Sequence, residues 1–132
     1  MSARGRSWIL SSMFGLDVDT DLAAFQGCEL ESFSVSAHQV QLRCNSLRNV
    51  GVSIEGDFAV IPAGGPTVMY RRPPDAAGAL AGLLGAEIAK ALVTSPGTVS
   101  IRFSDGTVIE IYDSEEHYES YQINIGERLI LV

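Results

Sequence analysis

Residues 22–35 read LAAFQGCELESFSV, and residues 80–93 read LAGLLGAEIAKALV. At this offset of 58 positions Leu22/Leu80, Ala23/Ala81, Gly27/Gly85, Glu29/Glu87 and Val35/Val93 are identical, and Phe25/Leu83 and Leu30/Ile88 are alike. With one residue inserted, VQLRC from Val40 falls on VSIRF from Val99, which keeps the arginine (Arg43 and Arg102). A longer turn then brings VSIE at Val52 onto IEIY at Ile109. Self-similarity at a fixed spacing is the mark of one supersecondary unit used twice. The units are residues 22–55 and 80–112 of a single domain spanning 1–132.

Each unit opens with helix formers behind an acidic residue, DLAAF and DAAGALAGLL, followed by Gly27 or Gly85 as a C-terminal cap. Pro73 and Pro74 fit a chain that enters a helix from an extended linker, here residues 57–74. After each glycine the apolar period changes to two. Val40, Leu42 and Cys44 share one face, as do Val99, Ile101 and Phe103. Asp105-Gly106 is a hairpin signal, because that pair tolerates positive φ. It predicts two antiparallel strands with Ile101, Phe103, Ile109 and Ile111 towards the core and Arg102 and Glu110 on the other face. YQINI and RLILV add two strands within 121–132. The expected fold is α+β, a mainly antiparallel sheet built from two helix–β-meander repeats with approximate internal two-fold symmetry.

The order of helix, glycine, strand, DG turn, S-I-E-G or I-E-I and late YES, over residues 22–121, resembles short uncharacterised bacterial proteins with a duplicated β-hairpin core. It is more loosely similar to the small immunity proteins of polymorphic toxin systems. That resemblance implies binding without chemistry, and it brings no catalytic residues.

Composition points the same way. At 132 residues and 46 % hydrophobic, the chain has enough apolar surface for one core without staples. The two cysteines, Cys28 and Cys44, fit neither a disulfide framework nor a metal-ligand spacing, and read as buried thiols in a reducing compartment. The opening MSARGRSWILSSMFGL is broken by serines and has no small-x-small cleavage site, so it does not read as a signal peptide. No apolar run approaches the span of a bilayer, and a cytoplasmic location is expected.

The net charge of −7 is concentrated late: residues 104–132 hold seven acids against Arg128 alone. Such a field repels phosphate backbones and anionic lipid, which disfavours nucleic acid and membranes, and it attracts a basic protein partner. Its densest part is DSEEHYESY at 113–121. Asp113 and Glu116 are spaced as a capping box, with His117 outside and Tyr118 and Tyr121 on one edge. The acids lack the spacing and turn glycine of an EF-hand, and one histidine makes no transition-metal set. The segment reads as a capped acidic turn, with Glu115, Glu116, Tyr118, Glu119 and Tyr121 as the residues that would dock a partner.

Other candidates carry less. His38 lies in the polar turn SAHQ, and Arg71 and Arg72 in YRRPP are weak anion-binding candidates. The glycines of GLLGAE and AGGP form no phosphate loop, and neither G-x-S-x-G nor H-E-x-x-H occurs. The chain reads as a small acidic, non-enzymatic protein-binding domain without cofactor or metal, most concretely an immunity protein that neutralises a toxin. The alternative is a small-ligand or regulatory module, for which a homodimer is compatible.

Overall fold

The computed structural model describes residues 18–45, 49–113 and 120–132. Among them the chain forms strands β1 (Glu29–Val35), β2 (Val40–Asn45), β3 (Val50–Ile54), β4 (Phe58–Ile61), β5 (Val68–Tyr70), β6 (Ile88–Ser95), β7 (Thr98–Phe103), β8 (Val108–Ile111), β9 (Tyr121–Ile125) and β10 (Arg128–Leu131). They make two five-stranded sheets, ordered β1-β2-β3-β9-β10 and β5-β4-β8-β7-β6. Every named pairing is antiparallel.

The α+β expectation of a sheet built from helix–β-meander repeats is therefore overturned: the architecture is almost wholly β. The DLAAF segment makes only a 3₁₀ turn, Ala23–Phe25. PPDA makes another, Pro73–Ala76, which runs into the short helix α1, Ala77–Ala81. The reason is local. Gly27 stops the first segment after one turn, and Gly78, Gly82 and Gly85 interrupt the second, each costing roughly 1 kcal/mol of helix propensity. A helix this short cannot repay its nucleation. Residues 57–74, expected to be a linker, carry β4 and β5. Among the described residues no helix is long and apolar enough to cross a membrane.

Each sheet consists of a local meander, β1-β2-β3 or β6-β7-β8, extended by a hairpin from elsewhere in the chain. β9-β10 completes the first sheet and β4-β5 the second. Register defines counterpart positions. Ile54 lies opposite Val40 and Tyr121, and Ile111 lies opposite Val99 and Phe58. Tyr121 and Phe58 thus occupy the same place in the two sheets. β1 shifts register between Leu30 and Ser32, and β6 between Ile88 and Lys90, so both edge strands are bulged at matching points.

The sheets enclose one continuous core. Strand alternation supplies it: Val40, Leu42 and Cys44 from β2, Val99, Ile101 and Phe103 from β7, and Ile109 and Ile111 from β8 are all buried. The Asp105-Gly106 turn joins β7 to β8, with Gly106 at φ 93° and the Thr107 amide donating to the Asp105 carboxylate at 2.8 Å. Each fully buried aliphatic side chain contributes roughly 1.5–3 kcal/mol. A buried side-chain tie joins the sheets: the Tyr121 hydroxyl of β9 donates to the Gly97 carbonyl in the β6–β7 turn at 2.9 Å.

Candidate functional site

The meanders meet where their first strands begin. The Gly27 amide donates to the Ile88 carbonyl and the Gly85 amide to the Leu30 carbonyl, both at 2.8 Å. The Leu30 amide donates to Ala86 at 3.0 Å and the Ile88 amide to Cys28 at 2.7 Å. These bonds frame Glu29 directly opposite Glu87. Gly27 and Gly85 make the approach possible, each at φ 85°, where a side chain would be strained. The two glutamates are exposed, and so are Glu31 in the β1 bulge and Asp105, next to Ser104, whose amide donates to the Glu87 carbonyl at 2.8 Å. Leu84, immediately before Gly85, is an exposed large apolar side chain. The junction thus gathers several exposed carboxylates, with Leu84 three residues before Glu87 in the chain.

The residues expected to dock are placed differently. Glu115, Glu116, Tyr118 and Glu119 lie outside the described residues. Tyr121 is fully buried, paired opposite Ile54, and offers no contact area to a partner. Its hydroxyl is taken by Gly97, and burial, with the Asp113 charge adding to it, pushes its pKa well above the ordinary tyrosine range. Asp113 accepts a hydrogen bond from the Ser120 hydroxyl at 3.1 Å.

Arg71 and Arg72 come together with His38, Glu55 and Pro73 around an open cleft of about 300 Å³. Each guanidinium already faces a carboxylate: Arg71 pairs with Asp57 at 3.3 Å and Arg72 with Asp75 at 2.6 Å. Glu55 brings a further acid into the same cleft. That balance makes it a poor anion site, although exposed pairs of this kind contribute under about 1 kcal/mol. Cys28 and Cys44 are buried. Burial, reinforced by Cys28, pushes the Cys44 thiol up to about 12, so it is held as an unreactive thiol. Among the described residues no group of three or more His, Cys, Asp or Glu side chains is placed to hold a metal ion.

The outward face of β1, β2, β3 and β9 has a different character. Ser32, Ser34, Gln41, Arg43, Asn49, Ser53 and Asn124 surround a hollow of about 160 Å³ above Gly51. On the other sheet, the corresponding face carries Lys90, Arg102 and Glu110, with Tyr112 donating to Glu110 at 2.7 Å. Desolvation first, then that hydrogen bond and the Glu110 charge, pushes Tyr112 up to about 12.

Sequence reasoning passed over the junction and the hollow, yet a signal for both was present. Glu29/Glu87 and Arg43/Arg102 are the charged pairs kept in the self-match. Residues 21–132 match the model of a family of unknown function, DUF6188. No curated protein and no solved structure matches the chain.

Proposed function

We propose that the chain, which belongs to the DUF6188 family, is a non-enzymatic domain that docks a basic protein partner through the β1–β6 junction. Its most concrete form is an immunity protein whose partner is a toxin. The observation that carries this reading is the pairing of Glu29 with Glu87, three residues after the exposed Leu84. Carboxylates directly opposite each other across a strand pair repel, at a cost of roughly 0.2–1 kcal/mol. A lysine or arginine from a partner, placed between them, would convert that repulsion into attraction. Leu84 would supply apolar contact at the centre, with Glu31 and Asp105 as a charged rim. The net charge of −7 would steer a basic partner towards it.

The test begins with partners captured from the native host and identified, followed by binding kinetics of Leu84→Ala and of the double reversal Glu29→Lys, Glu87→Lys. The leucine change should raise the dissociation rate. The reversals should slow association, and the loss should shrink as salt is raised, since screening acts beyond about 8 Å at physiological ionic strength. A toxin among the captured proteins should lose its toxicity on co-expression with the wild-type chain and regain it with the double reversal. Unchanged kinetics for every variant against the tightest partner would remove the junction from consideration.

A further inference from the structure

The hollow on the first sheet lies where the two sheets, built to one strand order, differ most. Arg43 on β2 lies opposite Gly51 on β3, and Gly51 lies opposite Asn124 on β9. At the counterpart positions Arg102 lies opposite Val108, and Val108 opposite Ile61. On the other flank Arg43 faces Ser32, whereas Arg102 faces Lys90. The arginine is common to both sheets; its surroundings are not. Around Arg102 the directly paired neighbours are aliphatic or basic, and an acid, Glu110, stands where Ser53 stands near Arg43. Around Arg43 they are hydroxyls, amides and a glycine.

Gly51 is what opens the space. A Cβ there would lie 2.7 Å from the Leu42 carbonyl oxygen, so the close approach of β2 and β3 excludes any side chain from the floor. Arg43 is exposed and makes no ion pair with a described residue. Among the described residues no carboxylate lines the hollow, in a chain with 16 acids to 9 bases. Three serines, Gln41, Asn49 and Asn124 converge on it, and each can both donate and accept. The hollow is open, and its volume of about 160 Å³ equals roughly five waters at about 30 Å³ each, enough to seat an oxyanion and one edge of a sugar ring with the rest of the ring at the mouth.

We infer that the Arg43–Gly51 hollow binds a small phosphorylated sugar, with the guanidinium on the phosphate and the serine and amide side chains on the sugar hydroxyls. One guanidinium matches one oxyanion, in bidentate geometry. The amphoteric lining matches a polyol, whose hydroxyls need partners of both kinds, and a purely apolar ligand would leave that lining without partners.

The experiment titrates the full-length protein with glucose 6-phosphate, glucose and inorganic phosphate, followed by backbone amide NMR shifts and calorimetry. Glucose 6-phosphate should give saturable shifts clustered at Arg43, Gly51, Ser53 and Asn124. Arg43→Gln should weaken it by about tenfold or more, the loss of one charge-assisted contact. Arg102→Gln, the counterpart change on the other sheet, should leave the affinity unchanged. Both arginines are exposed, so neither substitution should disturb folding. Glucose and inorganic phosphate should each bind at least tenfold more weakly than glucose 6-phosphate. No saturable binding of glucose 6-phosphate overturns the inference, as do shifts centred elsewhere or equal effects of the two arginine changes. Inorganic phosphate binding as tightly as glucose 6-phosphate overturns it too.

Discussion

Tyr121→Phe removes one buried oxygen atom and tests a tie between the sheets. The ring is fully buried, and its hydroxyl makes a 2.9 Å bond to the Gly97 carbonyl, which is itself buried. A neutral hydrogen bond contributes about 0.5–1.5 kcal/mol net, and a buried acceptor left without a donor costs about 1–3 kcal/mol. Ring packing should survive, because Phe58 fills the counterpart place in the other sheet, against Tyr70 at 5.6 Å. The expected loss is therefore about 1–2 kcal/mol, or about 3–6 °C in Tm for a domain of this size. Urea unfolding followed by circular dichroism reads it directly. A second readout comes from pH. The folded-state pKa of Tyr121 is raised above its ordinary 10.0, so its contribution is fully present below pH 10 and is lost as pH rises above that. Cys44, raised from 9.0, and Tyr112, raised from 10.0, act in the same direction in both proteins. Wild-type stability should thus fall steeply on the alkaline side, and the phenylalanine variant should fall less. A loss under about 0.3 kcal/mol with an unchanged alkaline slope would refute the reasoning, since the buried acceptor would then have cost nothing.

Gly51→Ala should destabilise the domain by about 1–3 kcal/mol in the same unfolding assay, because its Cβ would meet the Leu42 carbonyl at 2.7 Å. Gly78→Ala should do the opposite, by up to about 1 kcal/mol, since that position in α1 has nothing within 4 Å of the added methyl. Cys44 should alkylate at pH 8 about a thousandfold more slowly in the native protein than in denaturant, given a thiol moved from 9.0 to about 12. Mass spectrometry after an iodoacetamide pulse measures this, and equal rates in the two states would contradict the burial of that strand.

What could be read from the residues was whatever local periodicity encodes. The β7–β8 hairpin is one case, where Ile101, Phe103, Ile109 and Ile111 alternate around a DG turn and are all buried. β4 was missed because its burial does not alternate. Phe58, Ala59 and Val60 are all buried, so the run FAVI has no polar face to betray period two. β5 is three residues long and follows a Gly-Gly-Pro stretch that reads as a loop. DLAAF and DAAGALAGLL hold enough helix formers to suggest longer helices, but the glycines among them break the segments as well as cap them. Tyr121 illustrates a different limit. Its neighbours in sequence are acids and a serine, which suggest water, but its place is set by Ile54 and Val132, which pair with it across the sheet. The opposition of Glu29 and Glu87 is likewise set by a contact 58 positions apart.

The exchange of hairpins ties these features together. The meanders β1-β2-β3 and β6-β7-β8 close locally, but each presents an edge until a hairpin from another part of the chain covers it. The inward residues of both sheets must then satisfy one shared core, and they are alike: Val40 and Val99, Leu42 and Ile101, Val52 and Ile109, Ile54 and Ile111. A slip of one residue in any strand would turn that set outward, so the core holds the register. The outward residues are under no such demand. There Ser32 stands where the other sheet has Lys90, Gly51 where it has Val108, and Ser53 where it has Glu110, around an arginine common to both. Packing accounts for the first set of residues and has nothing to say about the second. Exposed differences between two faces built on one plan are thus where recognition, as opposed to stability, has room to act.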